Sequence, residues 1–170
     1  SYTVANTPGS LADNNVFSIC SSGDKVYVGL LGGLSYYDMH TGRFESDTVV
    51  KGHIITHILC DSHNNLWAAS YGQGLYMRPR GAKRWKLYSN SDKRHNISSD
   101  RVLSVTEDSR HRIWVATEGG GVNLLDRKAD TFRRVPIPVY SPRNIAYKTV
   151  EDSRNRLWIS TNRGLVCYDP

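Results

Sequence analysis

The 170-residue sequence predicts an all-β fold of short antiparallel strands, and three observations carry that prediction. One phrase recurs: "EDSRHRIWVATEGGGV" at 107–122 has a near twin, "EDSRNRLWISTNRGLV", 44 positions later. Gly and Tyr are frequent (14 and 10 residues), a composition that favours strands and tight turns. No segment shows a helical 3.6-residue period.

The recurrence extends upstream. "CDSHNNLWAASYGQGL" (60–75) keeps the six-residue step from Asp61 to Trp67, repeated from Asp108 to Trp114 and from Asp152 to Trp158. "CSSGDKVYVGLLGGL" (20–34) places Tyr27 in the tryptophan slot. The anchors Tyr27, Trp67, Trp114 and Trp158 are thus spaced by 40, 47 and 44 residues. Downstream, Leu34 to Phe44, Leu75 to Trp85 and Val122 to Phe132 are each ten residues apart. Four copies with matching internal spacing define a structural repeat.

Each copy reads as four strands. The first is "VFSIC" (16–20), "ITHIL" (55–59), "VLSVT" (102–106) or "AYKTV" (146–150). The second carries the anchor: "KVYVG", "LWAAS", "IWVAT" and "LWIST". The third follows a glycine turn: "GLSYYD", "GLYMR", "GVNLLD" and "GLVCYD". The fourth is "RFES", "RWKLY" or "TFRRV". The turn between first and second strands places Asn64, His111 or Asn155 three residues before the anchor. These residue types are enriched at positive φ, so a left-handed residue is predicted there.

One four-stranded meander buries little and leaves its edges open. Stacking such sheets about an axis buries both faces, with the large aromatic filling the gap between neighbours, worth about 2–3 kcal/mol per unit. The period and strand count give a β-propeller. Its blades span approximately 11–50, 51–95, 96–140 and 141–170, and residues 1–4 match the outer strand of a preceding or closing blade. Either 1–4 completes the last sheet and closes a four-bladed ring, or the chain is an arc of a larger propeller. The arc is preferred, because a four-bladed ring is the small extreme.

The chain opens on Ser1 without a methionine or an apolar leader, which points to a processed or trimmed sequence. It contains no run of 18 apolar residues. Cys20, Cys60 and Cys167 are odd in number. Cys20 and Cys60 occupy the same repeat position by sequence, so they are expected to point similarly in neighbouring units, as buried thiols. Charge is uneven: residues 1–77 carry 3 Lys/Arg and 6 Asp/Glu, whereas 78–170 carry 19 and 10. A basic half invites a polyanion, but the stacking motifs of single-strand binders are missing and nucleic acid is not expected as a partner.

The repeat phrases at 107–132 and 151–170 resemble the two-component regulator propeller repeat, through Asp-x5-Trp, the small residue before Thr, and the glycine turn before a hydrophobic strand. The resemblance is weakest in the first unit, where Tyr27 replaces Trp and Ser21 replaces Asp. It implies the periplasmic sensor region of a bacterial hybrid two-component system, usually a seven-bladed propeller preceding a membrane helix and a histidine kinase. It further implies an oligosaccharide ligand, neutral or acidic, a homodimeric parent, and no catalysis by this segment. A propeller glycosidase or polysaccharide lyase, or a protein-interaction scaffold, are the alternatives.

Cofactor motifs are not found. "EGGG" (118–121) precedes a strand and reads as a hairpin turn, not a dinucleotide loop. His53 and His57 would lie about 13 Å apart on a strand, too far to share a metal easily. No nucleophilic triad or carboxylate pair can be assigned. A ligand is expected on the rim formed by second-to-third-strand turns and blade connections, which carries Tyr71, Gln73, Glu118, Asn162, Arg163, Arg143, His53 and His95. The opposite face receives Arg110, Arg112, Arg154, Arg156, Arg78, Arg80, Lys83, Arg84, Arg127 and Lys128, and is expected to dock another domain or an anionic surface.

Overall fold

A computed structural model describes residues 2–4, 9–137 and 145–170. These form fifteen strands in four antiparallel meander sheets, each hydrogen-bonded in chain order. The first blade comprises β1 (Val16–Ser22), β2 (Lys25–Leu30), β3 (Gly33–Asp38) and β4 (Arg43–Ser46). The second comprises β5 (Ile55–Cys60), β6 (Leu66–Ser70), β7 (Gly74–Arg78) and β8 (Lys86–Tyr88). The third holds β9 (Val102–Glu107), β10 (Ile113–Thr117), β11 (Gly121–Asp126) and β12 (Thr131–Arg134). The fourth has three strands, β13 (Ala146–Glu151), β14 (Leu157–Thr161) and β15 (Gly164–Tyr168). Residues 2–4 form no strand; Tyr2 instead packs on Tyr37 and Phe44 of the first blade.

Neighbouring sheets meet along their first strands, β1 on β5, β5 on β9 and β9 on β13. Each of these strands skips one residue against its partner near its upper end, at Phe17, Thr56, Leu103 and Tyr147. Such bulges raise local twist, which suits the crowded inner edge of a blade.

Three of the four anchors, Tyr27, Trp67 and Trp114, are wedges between blades, and Trp158 is partly buried on the open side of the fourth. Trp67 and Trp114 are each 1 % exposed. Trp67, Ala69 and Leu75 face forward onto Val105, Ile113 and Val115 of the third blade. Trp114, Ala116 and Val122 pack in the same way on Ala146, Leu157 and Ile159 of the fourth. Tyr27 is partly buried against Ile58, Leu66 and Ala68 of the second. The described residues form an open arc. Leu165 is 65 % exposed, whereas its equivalents Leu34, Leu75 and Val122 are 2 %, 0 % and 0 % exposed. On the back of the first blade Ile19 is 67 % exposed, against 2 % for its equivalent Ile58.

The repeated Asp–Trp spacing has a direct cause. In each five-residue turn one carboxylate oxygen of the Asp accepts two backbone N–H groups, and the other accepts the anchor's indole N–H. That last bond measures 2.9 Å for Asp61–Trp67, 2.7 Å for Asp108–Trp114 and 2.8 Å for Asp152–Trp158. Closing the turn requires a left-handed residue, and Asn64, His111 and Asn155 have φ of 60°, 59° and 61°. Arg112 and Arg156 add ion pairs to Asp108 and Asp152 at 2.6 and 2.7 Å. Burial pulls the Asp108 carboxyl up, but bonds from Trp114 and Arg112 outweigh it and hold it below the ordinary carboxylate range. Asp152 is held well below that range, chiefly by Trp158 and Arg156.

The cysteine expectation is corrected. Cys20 and Cys60 form a disulfide across the first seam, with Cα atoms 6.1 Å apart. The first blade joins its first two strands through a tight hairpin in which Ser22 pairs with Lys25. Cys20 therefore pairs with the anchor Tyr27, whereas Cys60 pairs with Leu66, one residue before its anchor. A one-residue offset reverses the face a strand side chain points to. Cys20 looks forward, Cys60 looks back, and the thiols meet. Cys167 is free and exposed.

Candidate functional site

Two faces of the arc can carry function. The upper face bears the turns between second and third strands; the lower face bears the turns after first and third strands.

On the upper face, one slot four residues beyond each anchor holds Leu31, Tyr71, Glu118 and Asn162. In every blade its backbone N–H is bonded to a carbonyl just before or at the start of the blade's first strand: Leu31 to Asn15, Tyr71 to Ile54, Glu118 to Arg101 and Asn162 to Ile145. These side chains therefore sit on equivalent places around the rim. Across the second seam they are joined. The Tyr71 hydroxyl donates to Glu118 Oε2 at 2.8 Å, and Arg101 Nη1 donates to Glu118 Oε1 at 2.6 Å. The Glu118 bond pushes the Tyr71 hydroxyl above its ordinary value and raises Arg101 as well. Tyr71 remains 38 % exposed, so the residue is held by its hydroxyl and still open to solvent.

The other expected rim residues are placed as follows. Gln73, Asn162 and Arg163 are exposed in the turns, and Ile145 N donates to Asn162 Oδ1 at 3.4 Å. His53 stacks on Tyr76 with centroids 5.8 Å apart and shares a 3.1 Å hydrogen bond with its hydroxyl, between the first two blades. His95 departs from the rim. The segment after β8 runs back along β12, so His95 packs edge-on to Tyr88 and bonds the Asp130 carbonyl in a lower-face turn. Arg143 lies outside the described residues. His57 is partly buried, and that burial lowers its affinity for a proton, with Lys148 contributing.

Sequence reasoning missed Arg101, which has no repeat signature, and it missed the seam clasps below the rim. Glu107 accepts bonds from the Ser62 N–H at 2.7 Å and the Ser62 hydroxyl at 2.6 Å. Glu151 does the same for Ser109 at 2.7 and 2.9 Å. Glu107 and Glu151 pair with the residue before their anchors, as Cys60 does, so the disulfide replaces this clasp at the first seam. The repeated Ser after Asp and Glu before it were the available signal.

The family model of the two component regulator propeller matches residues 96–119, which run from before β9 through the Glu118 turn. No curated protein matches the sequence. Among solved structures, the chain is similar to an extracellular domain assigned to a one component system of B. thetaiotaomicron. The identity is 20 % and the TM-score 0.82, over 96 % of this chain and 22 % of that one. It is also similar to an extracellular domain assigned to a hybrid two component system of B. thetaiotaomicron, at 22 % identity and a TM-score of 0.80, over 99 % and 22 % of the two chains. A virginiamycin B lyase from Staphylococcus aureus shares the fold at 14 % identity and a TM-score of 0.66, over 92 % and 56 %. The chain thus spans about a fifth of the length of the two B. thetaiotaomicron domains. At these identities the likeness is one of fold, which sensors and enzymes share.

Proposed function

We propose that this chain is the ligand-sensing part of an extracytoplasmic, periplasmic propeller in a hybrid two-component sensor, and that it recognises an oligosaccharide on its upper rim. The observation that carries this reading is the Tyr71–Glu118–Arg101 cluster. An aromatic side chain open to solvent stacks on a sugar ring, while a carboxylate and a guanidinium beside it take up hydroxyl groups. The cluster joins two blades, so a ligand that prefers one arrangement of the seam shifts the population of arrangements. A homodimeric parent with a histidine kinase would read that shift.

Two further features support the reading. The Cys20–Cys60 disulfide suits an oxidising compartment. The uncovered faces at Ile19 and Leu165 suit the remaining blades of a larger propeller. The propeller is a binder and not an enzyme in this account.

Titration calorimetry against neutral and acidic oligosaccharides tests the proposal, alongside a turnover assay on the same compounds. Tyr71→Ala is expected to weaken binding at least about tenfold, the loss of one stacked ring. Unchanged affinity in that variant would remove the rim from the account, and product formation would favour the enzyme alternative.

A further inference from the structure

The lower face of the first seam is built differently from the other two, and the difference leaves a space. The β1–β2 connection is a two-residue hairpin in place of the five-residue Asp turn, and the wedge is a tyrosine in place of a tryptophan. Below Tyr27 lies a cleft of about 490 Å³ between the Ser22–Lys25 hairpin and the segment 78–83 of the second blade. Its volume falls in the range of small-molecule sites.

Lys25, Arg78, Arg80 and Lys83 line the cleft, and no carboxylate does. In the third and fourth blades the cation two residues before the anchor is neutralised by the turn aspartate, as Arg112 is by Asp108 and Arg156 by Asp152. Lys25 holds the same slot without that aspartate. Its nearest carboxylate is Asp38 at 3.9 Å, and its ammonium lies 4.0 Å above the Tyr36 ring. Arg78 is fixed by Asp47 at 3.1 Å, with its guanidinium over Trp85 and Tyr27. Arg80 and Lys83 are exposed and form no ion pair among the described residues. Arg78, Arg80 and Lys83 belong to the basic half of the chain, whereas Lys25 is one of only three Lys/Arg residues among the first 77.

We propose that this cleft binds a small molecule bearing two or more oxyanion groups. Lys25 and Arg78, held from behind by Asp38 and Asp47, form its floor. Arg80 and Lys83, both exposed, form the mouth, where they add charge-assisted hydrogen bonds to oxyanions and draw anions in. The rings of Tyr27 and Tyr36 give the body of the ligand an aromatic surface. Sugar acids and phosphorylated small molecules share this chemistry. The site lies on the face opposite the Tyr71 cluster, and it stands or falls independently of the rim.

Calorimetric titration of the chain with digalacturonate, inorganic pyrophosphate and neutral cellobiose tests it. At least one anion is expected to bind and cellobiose to leave the cleft unaffected; the stronger of the two anions identifies the source. R80E/K83E should weaken anion binding at least about tenfold, while K128E/R154E, on the same face outside the cleft, should change it less than about twofold. Raising salt from about 0.02 to 0.2 M should also weaken it. Lys83→Gln, an isolated surface change, repeats the test should the charge reversal perturb folding. Equal losses in both double variants would show only a diffuse basic face and overturn the site. So would failure of both anions to bind.

Discussion

The first seam and the two that follow solve one problem with different chemistry. At the second and third seams a buried tryptophan fills the gap, its indole is tied to an aspartate six residues earlier, and a glutamate from the next blade clasps a serine. At the first seam the turn is shorter, the wedge is a partly buried tyrosine, and a disulfide stands where the clasp would be. The repeat therefore specifies that adjacent blades be joined at this height, not by which bond. Where packing is weaker a covalent link takes over, and the space given up becomes the basic cleft.

Removing the wedges should separate the seams most sharply. Trp114→Ala is expected to lose about 3–5 kcal/mol of stability and Tyr27→Ala about half as much, measured by urea unfolding. Equal losses would mean that the first seam is as tightly packed as the others.

Next in size is the covalent link. Cys20→Ser with Cys60→Ser closes no loop in the unfolded chain, and should cost on the order of 3–4 kcal/mol for a separation of 40 residues. A reductant should lower the thermal midpoint of the parent protein and leave that of the double variant unchanged.

The aspartate turns come third. Asp108→Asn should cost about 1–3 kcal/mol, since charge-assisted bonds to Trp114 and Arg112 are weakened. The folded Asp108 and Asp152 carboxyls lie below their ordinary value of 3.8, so the folded state holds fewer protons than the unfolded one. Their contribution is present above that value and is lost as pH falls through the lowered folded values. Acid titration of unfolding should accordingly be less steep in Asp108→Asn.

The smallest effect is expected at the clasp. Glu107→Gln should cost about 0.5–1.5 kcal/mol, the weight of a partly exposed pair of hydrogen bonds. A loss as large as that of the disulfide would erase the distinction between the seams.

Much of this fold was legible because its causes are local. Strand boundaries follow alternation and glycine turns, and the left-handed Asn64, His111 and Asn155 follow from residue type and turn length. The wedge role of Trp67 and Trp114 followed from their spacing. The disulfide was not legible, because counting back from the anchor treats Cys20 and Cys60 as equivalent. A shorter turn consumes one residue less, and that single residue decides which way a strand side chain faces. His95 was assigned to the rim by its place in a blade connection, but the connection folds back along β12 and carries it to the Asp130 turn. The rim cluster was half visible: Tyr71 and Glu118 share a repeat slot, whereas Arg101 meets them only through the folding of the seam.

The account depends most on the first seam being closed by the one pair of cysteines that the register brings together. Mass spectrometry of a proteolytic digest made without reductant measures this directly. The expected result is a single cross-linked species joining the peptides that contain Cys20 and Cys60, with Cys167 recovered as a free thiol. Cross-links involving Cys167, or Cys20 and Cys60 both recovered as free thiols, would contradict the register of the first blade and the seam built on it.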